Sequence, residues 1–202
     1  AILSHPFNFI ADQTLIAGYE DLLNDPYPYK PYNGVKEFFR TGYVYSTSVN
    51  VRGGSEKINF NANYGRTEDI GFTPGNNLIR NNFSLGGNAQ LSNKITASGV
   101  FNFIRTGFKS PPNAVSTGSG AAFNGGAIFG DILYTPRSVD LSNLPYQSAD
   151  GRSLYYRSGN DIQNPYWTIA NAKTSQNTDR FLGNMSLSYA LNDWMNLSYK
   201  IG

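Results

Sequence analysis

The chain has 202 residues, with 16 lysines and arginines against 14 acids for a net charge of +2, a single histidine and no cysteine. That balance leaves no basic stripe for nucleic acid, and the lack of cysteine excludes a disulfide framework or a thiolate metal centre. No apolar run approaches the ~18 residues of a membrane helix, and the polar mean hydropathy is compatible with a β-barrel, whose inward side chains and loops are polar.

Residues 1–42 read as an irregular lead-in with one candidate short helix. Leu15, Tyr19, Leu22 and Leu23 stand at helical spacing behind Asp12 as N-cap, while Gly18 weakens the helix and Asp25-Pro26 ends it. The run from Pro26 to Tyr32 is predicted extended: a stiffened loop rather than a peptide-recognition ligand, whose proline and arginine context is missing. His5 sits beside Pro6 among aromatic neighbours; catalytic and zinc sites need several convergent ligands, so packing is its expected role.

Three hairpins follow, each of two alternating apolar and polar runs joined by a tight turn. The first spans 43–65: Tyr43, Tyr45, Thr47, Val49 and Val51 share one face, and after Gly53-Gly54-Ser55-Glu56-Lys57 the same face continues through Ile58, Phe60, Ala62 and Tyr64. A loop is expected at 66–81. The second hairpin, 82–103, sets Phe83, Leu85, Gly87, Ala89 and Leu91 against Asn82, Ser84, Asn88 and Gln90, turns at Ser92-Asn93-Lys94 and returns through Ile95, Ala97, Gly99, Phe101 and Phe103. Residues 104–178 form a second, much longer loop, in which the Gly/Ala-rich stretch from Ser119 to Leu133 is expected to hold a short helix stopped by Pro136. The third hairpin, 179–202, carries Phe181, Gly183, Met185, Leu187 and Tyr189 and then Met195, Leu197, Tyr199 and Ile201.

Alternation alone also describes a soluble antiparallel sheet with one wet face. Three details favour a membrane. The runs have the ~9–11 residues that a tilted strand needs to cross a bilayer. Their polar side is mostly Asn, Ser, Thr and Gln, with few charges such as Arg52 and Lys200, rather than the Lys/Glu-rich exterior of a soluble sandwich. Aromatics gather at the strand ends: Tyr43, Tyr45, Tyr64, Phe83, Phe101, Phe103 and Phe181 beside the long loops, Tyr189 and Trp194 beside the short turns, as in two interfacial girdles.

Six spanning strands fall short of the about eight of the smallest bacterial barrel, and open edges in hydrocarbon cost several kcal/mol per unpaired backbone group. The chain, which starts at Ala1 without an initiator methionine and stops at Gly202 within an alternation, is therefore expected to be a fragment: all-β, part of a larger antiparallel transmembrane barrel forming one partial domain.

Signals of catalysis are weak, and no enzyme activity, cofactor or metal is expected. No Ser/His/Asp set can be assembled around one histidine. The acids Glu68, Asp69, Asp131, Asp140, Asp150 and Asp161 lack calcium-loop spacing, and Gly118-Ser119-Gly120 lacks the lysine and strand-helix context of a phosphate loop. Asn82-Phe83-Ser84, Asn184-Met185-Ser186 and Asn196-Leu197-Ser198 match a glycosylation acceptor pattern that polar alternation generates by itself.

Several strings carry a family resemblance. Phe38-Phe39-Arg40-Thr41-Gly42, the stretch from Ser48 to Phe60 around GGSEK, Arg80-Asn81-Asn82-Phe83-Ser84-Leu85, Pro136-Arg137-Ser138-Val139-Asp140-Leu141 and Asp179-Arg180-Phe181-Leu182-Gly183-Asn184 resemble the early barrel of SusC/RagA-type TonB-dependent transporters of Bacteroidetes. The resemblance covers most of residues 36–202, with the GGSEK turn its most specific part. It implies a 22-stranded barrel in the bacterial outer membrane, of which this chain is about a fifth, with a plug that has no counterpart here. It further implies TonB-energised uptake of oligosaccharides or peptides beneath a SusD-like surface lipoprotein that lids the pore. With GGSEK periplasmic, the strand from Tyr43 runs inward, and the six strands become numbers two to seven of the barrel.

In the long loop Tyr155, Tyr156, Tyr166 and Trp167 offer faces for a sugar ring, and Arg157, Asn160 and Asp161 offer hydrogen bonds to hydroxyls; packing within the loop or contact with the lid explains the same residues. Two other functions stay open on the residues alone: a soluble β-sandwich that binds glycans, which requires the apolar rows to pack together, and a structural or adhesive outer-membrane barrel.

Overall fold

The computed structural model describes residues 2–111, 128–156 and 163–202. They fall into two compact units, one of Ala1–Gly42, Gly71–Asn76 and Lys109–Thr174, the other of Tyr43–Ile70, Asn77–Phe108 and Ser175–Gly202.

In the first unit, β1 (Ile2–Leu3) pairs antiparallel with β2 (Tyr27–Pro28). Single 3₁₀ turns span Pro6–Phe9 and Gln13–Ile16, and four short helices follow: α1 (Glu20–Asn24), α2 (Gly34–Phe38), α3 (Ile128–Tyr134) and α4 (Pro165–Asn171). The helix expected behind Asp12 is split. Asp12 caps only the second 3₁₀ turn, its carboxylate accepting from Thr14 N at 3.1 Å, and Gly18 at φ +90° separates that turn from α1. The helix expected between Ser119 and Leu133 is found as α3; its residues 119–127 lie outside those described. Asn164 caps α4 by accepting from Tyr166 N, with Pro165 in the first turn.

This unit holds two apolar clusters. One gathers Phe7, Ile10, Leu15, Ile16 and Leu154; the other Phe38, Ile128, Ile132, Leu141 and Tyr155. Both join the lead-in to the long loop, as do the bonds from Tyr32 N to Arg137 O and from Asp140 N to the Tyr27 hydroxyl. At about 1.5–3 kcal/mol for each large side chain fully buried, these clusters sustain a folded body. The stretches 1–42 and 104–178, expected as irregular loops of one barrel domain, instead supply most of a compact unit with its own core. Its apolar residues follow no single period, because the partners that bury them are distant in sequence.

The second unit is one six-stranded sheet in sequential order: β3 (Tyr43–Gly54), β4 (Ile58–Ile70), β5 (Asn77–Gln90), β6 (Ile95–Ser110), β7 (Thr174–Asn192) and β8 (Met195–Ile201). β3–β4, β4–β5 and β7–β8 are antiparallel, the last with a bulge between Ala190 and Asn192 near its turn. The tight turns close with Ser55 N on Ile58 O at 2.6 Å and Leu91 N on Ile95 O at 2.8 Å. Strands β3 to β7 run 12 to 19 residues, beyond the ~9–11 expected.

Register places Val49, Tyr64 and Phe83 in one row, Val51, Ala62 and Leu85 in the next, and Gly53, Phe60 and Gly87 in the third, all on one face. The opposite face carries rows such as Asn50, Asn63 and Ser84. Among the described residues every buried hydrophobic side chain belongs to the first unit, and the sheet's apolar rows stay open, with Val49, Leu85, Phe101 and Leu187 between 41% and 56% exposed. No helix among the described residues is long and apolar enough to cross a membrane.

Candidate functional site

The two faces of the sheet are the surfaces that bear on function. On the polar face Ser46 and Thr67, directly opposite in register, share a hydroxyl contact of 3.2 Å, and Arg80 continues that row on β5. Nearer the short turns Arg52 faces Asn61 and donates from Nε to Asn50 Oδ1 at 2.9 Å. Asn63, between them, has a buried Oδ1 with no hydrogen-bond partner. Four cations lie on this face, Arg52, Arg80, Arg180 and Lys200; alternation places Arg52 and Lys200 there but sorts only polar from apolar, and reading the sign of charge at every second position finds what the four share.

On the apolar face small and aromatic side chains interlock. The Phe101 ring covers Gly183 as Phe60 covers Gly53, and an open groove of about 350 Å³ runs over Gly87, Ala89, Ala97 and Gly99 between Phe60 and Phe101. Past the Val49–Tyr64–Phe83 row the face turns charged: Arg66 pairs with Glu68 at 3.4 Å and Arg105 with Asp179 at 3.6 Å. Register sets Tyr45 opposite Glu68 and Tyr43 opposite Ile70. Of these two tyrosines, expected in one girdle with Tyr64, Tyr45 is therefore level with the charged Glu68 and Tyr43 lies beyond it, neither level with Tyr64. Alternation assigns a side chain to a face; only pairing assigns its height along the neighbouring strand.

The loop aromatics are placed differently from a row of open binding faces. Tyr155 is 3% exposed, its hydroxyl within 2.7 Å of Thr135 Oγ1, and its ring meets Tyr156 edge-on at 4.6 Å. Tyr166, half-buried, packs on Phe38 and near Tyr146, and burial raises the pKa of its phenol. Trp167 donates its indole N–H to Gly151 O at 2.9 Å. Arg157, Asn160 and Asp161 lie outside the described residues. His5 is buried between Phe7 and Tyr27, its Nδ1 accepting from Phe7 N, and desolvation lowers its pKa against a smaller opposing pull from Asp25. A clasp that spacing does not signal is centred on Arg152, which reaches Asp150 at 2.6 Å, Asp12 at 3.0 Å and Thr14 Oγ1 at 2.9 Å.

A single antiparallel sheet of long strands, open on an apolar face and polar on the other, is a segment of an all-β barrel. Among solved structures, the chain is similar to the RagAB peptide importer in its 'closed-closed' state, with a TM-score of 0.59 and 15% identity over 96% of this chain and 22% of that one. The chain thus spans about a fifth of that relative's length, and at this identity the likeness speaks for the fold. No family model and no curated protein matches the sequence.

Proposed function

We propose that this chain is a stretch of barrel wall, strands two to seven, from a TonB-dependent importer of the SusC/RagA type in a bacterial outer membrane. The observation that carries the reading is the uncovered apolar face, whose charged side chains begin only past the Tyr64–Phe83 row, where a bilayer would give way to water. The soluble sandwich required those rows to cover one another, and none of their members is buried.

On this reading the apolar face meets lipid and the polar face lines the lumen. With the short turns periplasmic, the long connections between hairpins are extracellular loops. The partners are a plug inside the barrel that contacts TonB, a SusD-like surface lipoprotein, and an oligosaccharide or peptide cargo. Of the loop aromatics, Tyr156, Tyr166 and Trp167 keep part of their surface outside the core and are assigned to cargo or lid contact, while the buried Tyr155 packs edge-on against Tyr156.

The test is quencher accessibility at Ser84, Leu85, Gly86 and Gly87 in the full-length membrane-embedded protein. A lipid-soluble quencher should reach Leu85 and Gly87 but neither neighbour. If it reaches none of the four, the barrel is lost and soluble glycan binding takes its place.

A further inference from the structure

The charge on the polar face is predominantly positive. Along the six strands its ionisable side chains are Arg52, Arg80, Arg180 and Lys200, against one carboxylate, Asp69. All four cations are exposed and none is in an ion pair; Arg52 alone has a side-chain partner, the neutral Asn50. On the apolar face, by contrast, Arg66 pairs with Glu68 and Arg105 with Asp179. A net charge of +2 for the chain would not lead one to expect this sorting.

We propose that Arg80 and Arg180 form a carboxylate-receiving site in the lumen and that the imported cargo is acidic. The inference rests on the barrel reading above, and it names the cargo's chemistry. Both arginines stand in the half of their strands away from the short turns, Arg80 in the row of Thr67 and Ser46, Arg180 beside Phe181. One strand, β6, separates their positions, about 10 Å across the sheet, so they can engage separate carboxylates of one chain-like molecule. Guanidinium groups take carboxylates through paired N–H donors, and a water-filled cleft with low-dielectric walls concentrates the field of unpaired like charges. Carboxylates of an acidic glycan and of an acidic peptide satisfy the same chemistry.

The experiment uses the full-length importer with its lid lipoprotein. Binding of oligogalacturonate and of a glutamate-rich peptide is compared with malto-oligosaccharide and a Gly/Ser peptide of the same lengths. The proteins are the natural one, Arg80→Gln/Arg180→Gln and Arg80→Lys/Arg180→Lys. We expect one acidic probe to bind about tenfold tighter than its neutral counterpart, to lose about tenfold in the Gln variant and to recover most of it in the Lys variant. Which acidic probe does so identifies the cargo class. Equal binding of acidic and neutral probes, or acidic binding indifferent to the Gln variant, overturns the proposal. So does a Gln variant that releases the plug to protease while acidic binding persists, since the cations would then serve the plug. Lipid access at Leu85, measured on the same preparations, separates the two failures: lost access defeats the barrel reading, and retained access with any of these results defeats the acidic cargo alone.

Discussion

The ring of Phe60 lies over Gly53, its direct partner across β3 and β4, so closely that a Cβ on Gly53 would fall 2.7 Å from Phe60 Cζ. A side chain there must push the ring from its place. Gly53→Ala is expected to cost about 1–3 kcal/mol, as overpacking does, and Phe60→Leu should relieve part of that cost. Urea unfolding of the full-length barrel through a double-mutant cycle checks this; additive costs would mean that ring and glycine do not interact.

Leu85 and Ser84 test the faces in the same way. Leu85→Arg should destabilise by about 2–4 kcal/mol near the bilayer midplane, and Ser84→Arg by much less, because only the first places a guanidinium in lipid. Comparable losses at both positions in a folding titration into vesicles would count against the assignment of faces.

Much of the sheet is legible from residues 43–65 alone. The alternation of Val49 and Val51 with Asn50, repeated by Phe60 and Ala62 around Asn61, assigns faces, and the tight turn at Ser55 to Lys57 ties the strands into an antiparallel pair. Height is less legible, which is why Tyr45 stands level with Glu68, and Tyr43 beyond it, instead of beside Tyr64. The first unit is almost illegible, because Phe7 finds Leu154 and Phe38 finds Tyr155 across more than a hundred residues with no shared period. Tyr155 and Trp167 show the consequence. Their chemistry suits a sugar face, but their hydroxyl and indole N–H are engaged inside the loop unit, a circumstance that only tertiary structure specifies.

Acidity should loosen the lead-in. Burial holds the His5 pKa below its ordinary 6.5, so between those two values the unfolded chain binds a proton that the folded one does not. Stability of this region therefore rises with pH through that window and falls as pH drops from 7 towards 5. Protonation would also take the Nδ1 lone pair that accepts from Phe7 N. The carboxylates of Asp12 and Asp150, whose pKa values are lowered chiefly by hydrogen bonds from Thr14 and Ser148 respectively, act in a separate window below 3.8. Hydrogen exchange of residues 2–10 at pH 7 and 5 should show the loosening, and His5→Gln should abolish the difference; exchange that is pH-corrected and unchanged in the natural chain would exclude this role.

Asn164 concentrates the loop unit's polar bonding in one side chain. It is 1% exposed, donates from Nδ2 to Leu154 O at 2.9 Å, and accepts from Tyr166 N as the cap of α4. Asn164→Ala removes the cap and strands the Leu154 carbonyl, which sits in the apolar cluster of Phe7 and Leu15; together these should cost about 2 kcal/mol. The loss should fall on the first unit. Its residues should become protease-sensitive at lower denaturant, while heat-modifiable migration of the full-length barrel, which reports on the sheet, stays unchanged. A variant in which both report the same loss would show the two units unfolding as one.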